Sequence, residues 1–354
     1  MLILQNVEQV TYFSVISSLA HLMSKIVPII IESGTMDTDT PSSRERTMSA
    51  CLKPLLRSMR VFGLYFNRRS AAEKSSCKWN GWMIHGVVVV VLLWLNVVRV
   101  FSMFTADDRF GQILFTKLIN VVWMFQCAVS QTSFYAASHL GRLQDVFLKI
   151  KLSDECATYL RRIAVVYTVV AWSLITLASA FFAYGIFFTN GAMDFMMAPL
   201  QTHVTTSSPL VPRIIMYVLC FYLVSAHIFP QSMTFLLALL FTHQFKDVEK
   251  ELERCLKSQD GRVQDSEIES IRQRHQEIAM SVSDIDDCLM FSSASAFCCQ
   301  LSCVIVLLYL LIFYHSSIDD PMMIGAYAFW TILTSVGLVF TAAGGITINH
   351  YVSV

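Results

Sequence analysis

Charge is what this sequence has least of: Asp, Glu, Lys and Arg together make up 15% of 354 residues and cancel to a formal net charge of zero. A soluble domain carries about a quarter charged residues. The balance excludes the basic surface that nucleic-acid binding requires. Catalytic signatures are missing as well. There is no H-E-x-x-H, no paired C-x-x-C, no G-x-S-x-G and no Walker A loop among the residues, so nothing points to an enzyme, a cofactor or a metal. Outer-loop cysteine is lacking too. On the topology derived next, Cys51, Cys77, Cys156, Cys255 and Cys288 fall on the inner side, while Cys127, Cys220, Cys298, Cys299 and Cys303 lie within spans. A disulfide framework is therefore not expected.

What is there is apolar length, 55% of the chain. A helix needs about 20 apolar residues to cross the hydrocarbon core with every backbone amide bonded internally. Six stretches qualify, at 82–104, 113–137, 163–188, 214–241, 288–314 and 324–346. The second carries Lys117, Asn120, Gln126 and Gln131, which suits a helix facing the bundle or a wet cavity rather than lipid. Arg99 and Lys117 are deep enough to demand partners, although a lysine near a helix end can snorkel.

Loop charge sets the orientation. Lys and Arg number seven before the first span (Lys53 to Lys78), five in the second connection and seven in the fourth, whereas the alternate connections hold only Arg109 and Arg213 beside several aspartates. Positive loops stay inside. The chain reads as an all-α polytopic membrane bundle with a cytoplasmic N-terminal region (1–81), a receptor-sized membrane domain (82–354) and a cytoplasmic helical loop (242–287). Residues 1–31 read as an interfacial or disordered tail rather than a span, and 35–47 as a polar linker.

After the fourth span, Phe241, Phe245, Val248, Leu252 and Leu256 recur at three- and four-residue intervals. That is one face of a helix continuing into the cytosol. Charges on the other face are spaced to pair along it. SQDGR breaks this helix, and a second from about Asp265 leads into the fifth span. Such a pair is either a solvated hairpin or a stalk packing against other subunits.

Polar and aromatic residues gather at similar depth in the outer halves of the spans: Lys117, Asn120, Trp123, Tyr184, Tyr217, Phe221, Tyr309, Tyr327, Trp330 and Thr334. Aromatic walls with a few hydrogen-bonding groups suit a small amphiphilic ligand. Aromatic belts at the membrane interfaces produce the same pattern.

Three stretches carry a family resemblance. LKPLLRSMRVFGLYFNRR (52–69) resembles the basic amphipathic helix, ending in Gly and an aromatic pair, that precedes the first span of invertebrate gustatory receptors. FTHQFKDVEKEL (241–252) is similar to that family's extended fourth helix. The run 271–313 is similar to its passage into the fifth span, with Arg274 and His275 at the basic-His position. The resemblance implies a multi-pass plasma-membrane chemoreceptor, a homo- or hetero-tetrameric ligand-gated cation channel with related subunits, responding to a small-molecule tastant such as a sugar or bitter compound. It also implies a seventh helix, marked by Thr-Tyr and Gln-Phe, that lines the pore. The sequence stops at TINHYVSV, at the end of the sixth span, and so reads as a fragment or a truncated, non-conducting subunit. A light or peroxide sensor of the same superfamily is the alternative reading, suggested by the tryptophans in the spans.

Overall fold

The computed structural model describes residues 48–66, 81–104, 111–150, 152–188, 210–257, 265–313 and 321–353. Among the described residues nine helices follow in order: α1 (Met48–Cys51), α2 (Lys53–Val61), α3 (Gly81–Phe101), α4 (Gln112–His139), α5 (Arg142–Lys149), α6 (Asp154–Phe187), α7 (Leu210–Lys257), α8 (Asp265–Phe313) and α9 (Pro321–Ser353). Six of them, α3, α4 and α6 to α9, are long and apolar enough to cross a membrane. The tail 1–31, the linker and the SQDGR break lie outside the described residues.

The helices α6, α7 and α8 outrun their apolar segments where charge can be solvated. α6 starts nine residues before Ile163, capped by the Ser153 side chain, which accepts from the Cys156 amide at 3.3 Å, with Asp154 and Glu155 in the first turn. A serine cap and early acids satisfy the free amides and the positive helix end. α7 runs on for 48 residues despite Pro230, which removes one amide donor from the ladder. Among the described residues the extensions of α7 and α8 beyond their apolar segments are tied by Arg274, whose Nη1 donates to Glu251 Oε1 at 2.6 Å, while His275 sits on Phe245 at 5.3 Å. On the predicted apolar stripe, Phe241, Phe245 and Val248 are buried, but Leu252 and Leu256 are 38% and 66% exposed.

α4 is the most enclosed of the six spans. Its polar residues turn inward, with Gln126 and Gln131 fully shielded. Lys117 Nζ donates to the Met103 carbonyl at 2.8 Å and lies 5.9 Å from the Phe104 ring, and Arg99 Nε donates to Asn96 Oδ1 at 2.9 Å. Both cations thus have partners at the outer end of α3.

The segment before the first span folds into the bundle. α2 packs on α6 and α7. Phe62, just past its end, touches the rings of Trp172, Phe221, Tyr222 and Phe229 at 5.4–5.8 Å. Backbone carbonyls of the following turn would be stranded there, and α4 and α5 supply donors. Gln131 Nε2 reaches the Phe62 carbonyl at 3.1 Å, Ser138 Oγ the Leu64 carbonyl at 3.4 Å and Gln144 Nε2 the Phe66 carbonyl at 2.8 Å. The turn depends on Gly63, at φ +70°, where a Cβ would fall 2.9 Å from Gly86 Cα. Only glycine fits both the left-handed backbone and the gap.

Candidate ligand-binding site

Trp123 on α4 stacks on Phe182 of α6, with centroids 5.8 Å apart and planes at 13°, and meets Trp330 of α9 edge-on at 5.0 Å. Trp330 in turn packs on Phe182 at 6.1 Å and on the imidazole of His227 from α7 at 6.2 Å. Four helices therefore converge on one aromatic box. One turn above Trp330, Tyr327 brings its hydroxyl 3.3 Å from Thr116 Oγ1 on α4. One turn below, Thr334 bonds back to the Trp330 carbonyl at 2.7 Å and is 3% exposed.

Polarity inside the box is incompletely matched. Trp123 is 3% exposed, and its Nε1 is buried with no hydrogen-bond partner among the described residues. Burying such a donor costs about 1–3 kcal/mol. A ligand oxygen seated against it would recover that cost.

Of the sequence-predicted residues, the fold brings together Trp123, Tyr327, Trp330 and Thr334. Tyr309 belongs to a separate chain of rings that runs from Phe115 (4.8 Å) to Phe313 (4.8 Å). Asn120 bonds back to the Thr116 carbonyl at 2.8 Å. Lys117 turns to the end of α3, as described above. Tyr184 stacks on Phe188 at 6.2 Å and Tyr217 meets Phe187 at 6.0 Å, both near the outer ends of α6 and α7. Phe221 belongs to the Phe62 cluster instead. Phe182, Thr116 and His227 complete the box without having been read from the sequence. Phe182 stands two residues from Tyr184, on another face of the same helix, and no periodicity in an apolar span distinguishes the two faces. His227 is a lone histidine that helix packing alone brings against Trp330.

Beneath the box, α6 to α9 line a space of about 590 Å³. Its upper wall includes His227, Gln231 and Gly337, and its lower end reaches Phe241 and Asp286.

A bundle of six spanning helices, with an aromatic box walled by four of them, is the framework of a multi-pass membrane receptor. Comparison with known proteins makes this specific: the family model described as 7tm Chemosensory receptor matches residues 52–347, and the chain belongs to that family. The fold is similar to that of the insect olfactory receptor OR5 from Machilis hrabei, with a TM-score of 0.63 at 13% identity over 85% of this chain and 80% of that one. No curated protein matches the sequence. The receptor is a multi-pass protein of the plasma membrane.

Proposed function

We propose that this chemosensory receptor is of the gustatory type, a subunit of a ligand-gated cation channel that opens on binding a small tastant, a sugar or a bitter compound, among the outer halves of its spans. The observation that carries the ligand site is the buried, unpartnered Nε1 of Trp123 inside a box of Phe182, Trp330 and His227. Flat aromatic faces accept the apolar face of a sugar or a polycyclic compound, and Trp123 Nε1, Tyr327 and Thr116 offer the hydrogen bonds that orient it. The gustatory assignment rests on the residues 52–69, 241–252 and 271–313, whose pattern resembles that group.

Four helices meeting at the ligand give a route to gating. A ligand shifts a conformational equilibrium only by its differential affinity for the two states. One that draws α9 toward α4 through Trp330 and Trp123 binds the closer arrangement better. Tetramer formation through the cytoplasmic parts of α7 and α8 is part of the same reading, supported by the exposed Leu252 and Leu256.

The test is whole-cell recording from cells expressing the receptor, alone and with related subunits, during perfusion of a panel of sugars and bitter compounds. A cation current evoked by at least one compound is expected. Silence across the panel, together with an N-terminal tag stained on unpermeabilised cells, would overturn the reading.

A further inference from the structure

The space beneath the box shares His227 with the proposed tastant site but has features that site does not use. It lies in the inner half of the bundle, and its volume of about 590 Å³ is in the range that holds small organic ligands. Two polar side chains, His227 and Gln231, line its upper end, and Gln300 stands next to them at Gly337. Gln231 and Gln300 both approach Gly337, where a Cβ would stand 3.1 Å from Gln231 Oε1 and 3.3 Å from Gln300 Nε2. Gln231 Nε2 lies 3.4 Å from His227 Nε2; with the amide as donor, the neutral ring carries its proton on Nδ1. That Nδ1 is buried and unpartnered in a residue 4% exposed, and Gln300, fully buried, has no partner for either amide atom among the described residues. Bundles that bury such groups leave them unpaired at a cost, unless something supplies the missing bond.

Below this polar end the walls are mostly apolar, with Ile228, Leu237, Val282 and Leu289, and Asp286 stands at the lower end. Two lining residues, Val170 and Val336, are 47% and 45% exposed, so the space opens towards lipid between α6 and α9. There is a polar head position at the midplane, an apolar channel running inward and a lateral mouth. We propose that this is a second binding site, for an uncharged amphiphile that enters from the bilayer. Its hydrogen-bonding head, an alcohol, ester or amide, sits against His227 and the two glutamines, and its chain lies between α7, α8 and α9. A carboxylate or ammonium head is disfavoured, because no countercharge lines the upper end and a lone ion there would be costly.

The experiment uses the receptor in phosphatidylcholine nanodiscs with a photoactivatable, diazirine-bearing dodecyl alcohol, and labelled peptides are located by mass spectrometry. Label should concentrate on residues 227–241 of α7 and 279–293 of α8. His227→Phe keeps a ring against Trp330 but removes the donor, and should reduce labelling about fivefold, as for one neutral hydrogen bond. Gly337→Leu should abolish it by filling the head position. Protection by excess dodecanol identifies a free single-chain amphiphile as the occupant, and protection by dioleoylglycerol alone identifies a bilayer lipid with the same head chemistry. Label spread over the lipid-facing residues of α3, or unchanged in His227→Phe, would overturn the proposal. Binding alone is read, so the result does not depend on what evokes a current.

Discussion

Single residues in this receptor are under tension between packing and polarity. Trp123 shows it most directly, with a large ring stacked at 5.8 Å and an indole N–H left without an acceptor. Trp123→Phe keeps much of the ring and removes the orphan donor. Without ligand the variant should be as stable as the parent or more so, by about 1 kcal/mol, while agonist potency falls roughly fivefold. A thermal melt of the purified receptor checks the first part, and a fall in stability as large as a core truncation would contradict it. The inner thiols behave in a related way. Burial pushes the Cys156 thiol up to about 11, and Cys51 is raised for the same reason. Thiolate is the reactive form, so a raised thiol reacts slowly near neutral pH. Cys255, half-exposed on the α7 extension, should therefore react with iodoacetamide well before Cys156 or Cys51. Mass spectrometry of a short labelling time course would show the order, and early modification of Cys156 would mean that its surroundings are wetter than described.

At the scale of elements, the unexpected feature is the depth of the segment before the first span. A basic amphipathic helix has the same residue pattern whether it lies on the inner membrane surface or inserts among the spans, so 52–69 could be read as a helix but not placed. Placement depends on partners distant in sequence: Trp172 Nε1 donating to Ser58 Oγ at 3.0 Å, and Gln131 and Ser138 reaching the carbonyls beyond Phe62. The glycine junction is the most sensitive point. Gly63→Ala meets both a left-handed backbone and a Gly86 Cα at 2.9 Å, a strain of about 1–2 kcal/mol from the backbone alone. Gly86→Ala would push a Cβ to 2.8 Å from the Tyr135 ring. Both variants should reach the cell surface at reduced levels, measured by surface biotinylation, whereas Gly81→Ala, with open space around it, should not. Equal surface levels for all three would show that the turn is not packed in this way. The six spans, by contrast, were legible because lipid forces each one to be a long apolar helix. The extension of α7 beyond its apolar segment could be read from the apolar stripe and the charge spacing on that helix.

For the whole molecule, the six-span bundle was legible in the sequence, with an orientation proposed from loop charge and a set of outer-half aromatics. The sequence could not say which of those aromatics pack against one another. Interfacial belts and ligand walls use the same residue types at the same depth, and only helix packing separates Trp123, Tyr327 and Trp330 from Tyr184 and Tyr217. The exposed end of the α7 stripe belongs to this scale as well. If the subunits meet through it, Leu256→Glu should lower the fraction of cross-linked oligomer several-fold and leave the monomer's melting temperature unchanged, since Leu256 is 66% exposed. An unaltered cross-linking pattern would remove that surface from the assembly.

The central claim is that the box around Trp330 is where the tastant acts. The most direct measurement is the agonist concentration–response curve of Trp330→Ala, taken with surface expression in the same cells. The account predicts a shift of about tenfold or more at near-normal surface level, because the ring contacts Trp123, Phe182 and His227 together and aromatic pairs contribute about 0.5–1.5 kcal/mol each beyond area burial. A superimposable curve at equal expression would contradict it and place the ligand elsewhere in the bundle.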